Sequence, residues 1–310
     1  MKRILLPNAQ LAWIQAIRYA DYLAKGIVSL QTKKDFVSAL HNSVELFAKQ
    51  WLLDNCDYKV IEAKNVTQTN IELYNRFFAS QDLNEFFCKL STDERKHFFT
   101  VEFSKLKETV KDIIKPAELG DAFSELAALR NDETHFYIDP DTYLSDSQFV
   151  TLYNFMIDFY QGIKEKELIP NYWGECFDDE QKKLLFDRQR LQKSFSFRSI
   201  LAGSPVAKEI KLKLETVPYL TEDFDDNPMK FATYLIKELN FNMDVDCETL
   251  SQYIEAMNRY GIIEYSYDID EIPNFIPSDD ESGILIIDTD NKHPVVVGFN
   301  ITVHTKKDKV

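Results

Sequence analysis

Between Lys33 and Asp54 the apolar residues Val37, Leu40, Val44, Phe47 and Trp51 recur at intervals of three and four, the period of one face of an α-helix. A strand would scatter those residues over both of its faces, so the stretch is predicted to be helical. His41, Glu45 and Lys49 fall on neighbouring faces, and Glu45 precedes Lys49 in the favourable i, i+4 order of acid before base. The same period returns along the chain. Ala12 to Ala24 carries it and stops at Gly26, and Asp82 to Lys89 is followed by Thr92-Asp93-Glu94-Arg95, where Thr92 or Asp93 can cap a further helix. Glu102 to Ile114 halts at Pro116. Glu118 to Tyr137 buries Leu119, Ala122, Phe123, Leu126 and Leu129 and must end near Asp139-Pro140, because a residue before proline disfavours helical backbone. Ser147 to Lys166 brings Phe149, Leu152, Tyr153, Met156, Phe159 and Tyr160. Five or six such helices, ending at about Pro170, predict an all-α bundle over residues 1–170.

The pattern changes after that point. Asp178 to Lys193 reads as a charged helix and Ser194 to Phe197 as a short strand; Met229 to Leu239 and Glu248 to Arg259 read as helices, the second closed by Gly261. Three strand-like runs follow, Ile262 to Tyr267, Ile284 to Ile287 and Pro294 to Val303, the last alternating with period two. The expected fold class is therefore mainly α: a helical bundle over residues 1–170, then a smaller α+β domain over residues 171–310 with a short antiparallel sheet. A length of 310 residues agrees with two domains.

Composition narrows the function classes. Only 8 glycines occur, no two within six residues of each other, so neither a dinucleotide fingerprint nor a phosphate-cradling Walker loop can be written. The net charge is −15, from 36 basic and 51 acidic residues, which speaks against a broad nucleic-acid-binding face. That excess is uneven: 20 basic and 25 acidic residues fall before position 171 and 16 and 26 after it, so the excess is 5 in the first part and 10 in the second. The clusters Glu222 to Asp226 and Asp279-Asp280-Glu281 read as solvated loops. Cys56, Cys88, Cys176 and Cys247 form no C-x-x-C pair and show no zinc spacing, which points to reduced thiols and a cytoplasmic setting. Three apolar residues before Pro7 are too few for a signal core, and no run of 18 apolar residues is present, so no membrane association is expected.

The chemistry concentrates in Arg130-Asn131-Asp132-Glu133-Thr134-His135-Phe136-Tyr137. A guanidinium that is always charged, an imidazole that titrates near neutrality and a phenol lie there within eight residues. Such a set can cleave RNA without a metal or cofactor. His135 would take the proton of a ribose 2′-hydroxyl or protonate the leaving 5′-oxygen, Arg130 would stabilise the phosphate charge, and Asn131 would orient His135 or bind phosphate. On an ideal helix Asn131 and His135 share a face, whereas Arg130 and His135 stand about 140° apart. Either the helix loosens at its end, or two chains compose the site.

This pattern resembles the HEPN superfamily, marked by an Arg, four to six residues and a His, often with Asn directly after the Arg. Arg130-Asn131 and His135 match with four residues between Arg and His, and Tyr137 fits the subset with a Tyr two residues after the His. The segment Ala39 to Lys49, with Glu45 and Lys49 four apart, looks like the family's amphipathic helix. The resemblance covers residues 1–170. It implies an endoribonuclease of toxin or phage-defence type that works as a homodimer, with Arg130 and His135 catalytic and Asn131, Tyr137, Glu45 and Lys49 supporting. It also implies an antitoxin or nucleotidyltransferase as partner, although the added second part departs from short single-domain toxins.

Two other readings stand beside it. In the first, the helical part is a dimerisation or binding module: Arg130 pairs with Glu133 one turn on, His135 caps the helix end and Tyr137 packs on the next helix. In the second, Asp279 or Asp280, the strand Ile284 to Ile287 and Asp290-Asn291-Lys292 outline a Mg²⁺ nuclease core. His41 reads as a polar-face helix residue, and His97, His293 and His304 as surface or strand residues without partners at metal-ligand spacing.

Overall fold

The structure, a computed structural model, describes residues 3–64, 66–114, 119–135, 138, 142–169, 195–215, 227–263, 283–288 and 293–298, with backbone alone for residues 134, 135, 215 and the last two segments. Among these residues the chain is mainly helical. It divides into two compact units, one of Met1–Asp21 with Lys33–Ser194 and one of Tyr22–Thr32 with Phe195–Val310. The second unit thus takes in the turn between the first two helices.

In the first unit the order is α1 (Leu6–Ala24, its first part), α2 (Leu30–Asp54, from Lys33), β1 (Ile61–Glu62), α3 (Ile71–Phe78), α4 (Leu83–Lys89), α5 (Thr92–Arg95), β2 (Phe99–Thr100), α6 (Lys107–Ile113), α7 (Leu119–His135) and α8 (Asp146–Glu165). The helix ends follow from local chemistry. Asp82 accepts the Glu85 amide and starts α4, and Ser91 with Glu94 and Ser145 with Gln148 form capping boxes that start α5 and α8. The stretch read as one helix from Glu102 splits into a 3₁₀ turn, Phe103–Leu106, and α6. Phe103 and Leu106 both point inward at a spacing of three, which suits the three-residue turn of a 3₁₀ helix. Helix α3 and the antiparallel pair β1–β2, with Ile61 opposite Thr100 and Glu62 opposite Phe99, are additions to the sequence expectation.

Aromatic rings fill this core. Trp13 of α1 is fully buried and stacks on Tyr160 of α8 at 6.3 Å, and Phe47 and Phe36 of α2 meet Phe159 and Phe149 of α8 edge-on at 6.0 and 5.4 Å. A second cluster joins Tyr58, Tyr74, Phe77, Phe86, Phe87 and Phe98 around α3 and α4. Helix α8 lies so close to the end of α6 that a Cβ on Gly162 would sit 2.5 Å from the Ile113 carbonyl oxygen.

The second unit holds α9 (Phe197–Gly203), α10 (Pro205–Glu215), α11 (Pro228–Lys237), α12 (Cys247–Arg259), β3 (Gly283–Asp288) and β4 (His293–Gly298). Phe197, Leu201, Ile210, Phe231, Leu235, Ile254 and Met257 form its core. Gly26, at φ +96°, brings the α1–α2 turn against the Leu201 backbone. Strands β3 and β4 pair antiparallel, Gly283 opposite Gly298 through Asp288 opposite His293. The strand expected at Ser194 to Phe197 is corrected: Ser196 precedes a helix that Phe197 opens, because Phe197 and Leu201, one turn apart, both enter the core. Ile262 and Ile263 are buried turn residues after α12 and not strand. The expected helix Asp178 to Lys193 and residues 264–267 and 299–303 lie outside the described residues.

Candidate functional site

Helix α7 carries the segment singled out by sequence. Its buried stripe runs through Leu119, Ala122, Phe123, Leu126 and Leu129. Glu133 lies four residues beyond Leu129 and seven beyond Leu126, so the helical period directs a carboxylate onto the same stripe. Its side chain is only 3% exposed. A buried carboxylate needs hydrogen-bond donors, and Glu133 has three. Arg130 Nη1 donates to Oε2 at 3.0 Å, Ser38 Oγ of α2 donates to the same oxygen at 2.7 Å, and the Tyr143 hydroxyl donates to Oε1. Burial, followed by the Glu133 carboxylate itself, pushes the Tyr143 phenol far above its usual range, so it stays protonated as a donor. Tyr143 is held in turn, because the buried Lys33 ammonium donates to its backbone carbonyl at 2.9 Å.

One turn further along α2 stands His41. Its ring lies against Phe103, centroids 3.9 Å apart, and Nδ1 is 3.7 Å from Glu45 Oε2. Burial pulls the imidazole down to about 4; Glu45 opposes this, while Arg130 and Lys49 reinforce it. His41 is thus neutral at physiological pH and lies within the field of Arg130. Lys49, buried at the next turn, pairs with Glu45 and donates to Thr100 Oγ1 at 2.9 Å. Successive turns of α2 therefore present Ser38, His41, Glu45 and Lys49. Ser38 meets Glu133 and His41 meets the charge of Arg130, so the two helices run past each other in opposite sense.

Of the sequence-derived residues, Arg130, Glu45 and Lys49 fall in one polar row organised around His41. Arg130 presents a side chain 36% exposed, and Asn131 is exposed on α7. His135 is the last residue of α7, with its side chain outside the described residues, and Tyr137 lies outside them altogether. Asp279, Asp280, Asp290 and Lys292 also lie outside them. Ser38 and Tyr143 join the site only through the fold, and Glu133, legible in the sequence as a partner of Arg130 one turn on, is also a buried hub. Its position on the apolar stripe of α7 was the available signal. A cleft of about 610 Å³ elsewhere in the unit is lined by Trp51, Lys59, Lys105, Asp112 and Lys166 and holds none of the site residues. There the Lys166 ammonium covers the Trp51 ring at 4.8 Å.

Compared with known proteins, the chain matches no family model, no curated protein and no solved structure.

Proposed function

We propose that this protein is a metal-independent endoribonuclease of toxin or phage-defence type, a cytoplasmic homodimer whose first unit cuts RNA and whose second unit senses a trigger or binds a partner. The observation that carries the reading is Arg130: a guanidinium paired with a buried carboxylate while its side chain remains 36% exposed. A cation fixed in advance is what a developing phosphate charge requires. In this mechanism His135 transfers the proton at the ribose 2′-oxygen or the leaving 5′-oxygen, which is worth about 10²–10⁴ in rate. Asn131, Tyr137, Glu45 and Lys49 support the pair. Helix α7 continues through His135, so Arg130 and His135 of one chain remain about 140° apart on a regular helix. That favours a site composed from two copies, each lending one of the groups. The HEPN resemblance agrees with this reading, and an antitoxin or nucleotidyltransferase partner is its further implication.

The pairing of Arg130 with Glu133 favours one other reading, a dimerisation or binding module in which the arginine is structural. Purified protein incubated with RNA in EDTA, beside Arg130→Ala and His135→Ala, separates the two. Cleavage that survives the chelator and is lost in both variants supports the ribonuclease. Wild-type protein inert toward a panel of structured and single-stranded RNAs favours the binding module, and cleavage lost in EDTA but kept in His135→Ala moves the chemistry to Asp290 and Lys292.

A further inference from the structure

This inference rests on the reading of Arg130 as the group that meets the RNA phosphate. We propose that Glu133 is the positioning residue of that site, its carboxylate held by the Ser38 and Tyr143 hydroxyls so that the Arg130 guanidinium is fixed before RNA arrives.

Three observations lead there. The first is an asymmetry: the Glu133 side chain is 3% exposed and the Arg130 side chain 36%, so the acidic partner lies inside while the basic one reaches the surface. A surface ion pair would expose both ends. The second is that the acceptor is oriented without help from Arg130. Ser38 comes from α2 and Tyr143 from the turn before α8, and each binds a different oxygen of Glu133. The third is that this orientation is itself anchored, since Lys33 holds the Tyr143 carbonyl and Tyr143 is 5% exposed. A chain of contacts from Lys33 through Tyr143 and Glu133 to Arg130 thus ties three segments to one guanidinium. The side chain of a free arginine samples many rotamers, and a misplacement of about 1 Å at a reacting centre costs on the order of 10²-fold in rate. Glu133 would remove that freedom without touching the substrate.

Chemical rescue is the test. Full-length Arg130→Ala is assayed on a short RNA with added guanidinium ion, and the same is done with Arg130→Ala/Glu133→Gln. Guanidinium restores cleavage several-fold in the first and not in the second if the carboxylate supplies the socket. Glu133→Gln alone lowers kcat by roughly 10²-fold with a smaller change in KM. Equal rescue with and without the carboxylate, or an unchanged kcat in Glu133→Gln, overturns the proposal while leaving the ribonuclease reading intact. A second measurement needs no activity. NMR of the arginine side chains should show slow rotation of the Arg130 guanidinium in the wild type and averaging in Glu133→Gln. Rotation that is fast in both overturns the clamp even if no RNA is ever cut, whereas an inert enzyme with a slow, Glu133-dependent guanidinium sinks only the ribonuclease reading. Should Glu133→Gln fail to fold, Tyr143→Phe removes one of the two hydroxyl anchors and is expected to give the same changes to a smaller degree; no change in kcat or in guanidinium rotation then counts against the proposal.

Discussion

Ser38 and Arg130 donate to the same oxygen of Glu133, at 2.7 and 3.0 Å, although they come from helices 92 residues apart in sequence. That shared oxygen joins α2 to α7 at the point where the apolar stripe of α7 turns polar. It makes the contact a stability element as well as a site element. Removing the hydroxyl of Tyr143 or Ser38 leaves part of a buried carboxylate without its donor, so Tyr143→Phe and Ser38→Ala are each expected to cost about 1–3 kcal/mol in urea unfolding. The double variant should differ from the sum, because both hydroxyls serve one carboxylate. Variants as stable as wild type would mean that Glu133 finds other partners.

His41 supplies a pH dependence with a definite sign. Its folded value, about 4, lies below the unfolded 6.5. Between those limits the unfolded chain binds more protons than the folded one, so stability is fully present above pH 6.5 and declines as the pH falls toward 4. From this group alone the loss is about 3 kcal/mol across the window. An NMR titration of the His41 ring should give an inflection near 4, moved upward in Arg130→Gln because a repelling charge is gone. An inflection near 6.5 in the wild type would contradict the buried placement.

Gly162 tests the packing of α8. An added Cβ would meet the Ile113 carbonyl oxygen and the Ile114 side chain at 2.5 Å, and backbone atoms cannot move aside cheaply. Gly162→Ala should therefore destabilise the first unit by about 1–3 kcal/mol, despite the better helix propensity of alanine. A neutral or stabilising outcome in thermal unfolding would show that α6 and α8 do not approach this closely.

Asp246 starts α12 by accepting the Thr249 amide at 2.7 Å, and that backbone bond holds its carboxyl below the usual range. Asp246→Ala should lower the stability of the second unit by about 1 kcal/mol and Asp246→Asn by less, since asparagine keeps the cap. Equal losses in the two variants would assign the effect to charge and not to capping.

Much of the helical frame was legible because it is periodic. The stripe of Val37, Leu40, Val44, Phe47 and Trp51 lies in α2, and the buried residues named for α7 are buried. Helix α3 was not among the expectations, although its buried residues Leu73, Tyr74 and Phe77 keep the helical spacing of three and four. Phe197 was read as strand because alternating Ser and Phe imitate period two, whereas the core takes Phe197 together with Leu201. In the site, the Arg130–Glu133 pair is local and could be read at a spacing of three. Ser38 could not, since its partner lies 95 residues away. Nor could the burial of His41, which depends on Phe103 arriving from a distant turn. Glu133 illustrates the general limit: a spacing rule shows that it can pair, and only the packing of α2 and Tyr143 on α7 shows that it must.

The chemistry of the cut ends of an RNA treated with the protein in EDTA decides whether Arg130 and His135 act as a ribonuclease pair. Attack by the 2′-oxygen, with the proton carried by His135 and the phosphate charge held by Arg130, predicts a 2′,3′-cyclic phosphate and a 5′-hydroxyl, absent with Arg130→Ala. Fragments ending in 3′-hydroxyl and 5′-phosphate, or no fragments from any RNA offered, would contradict it.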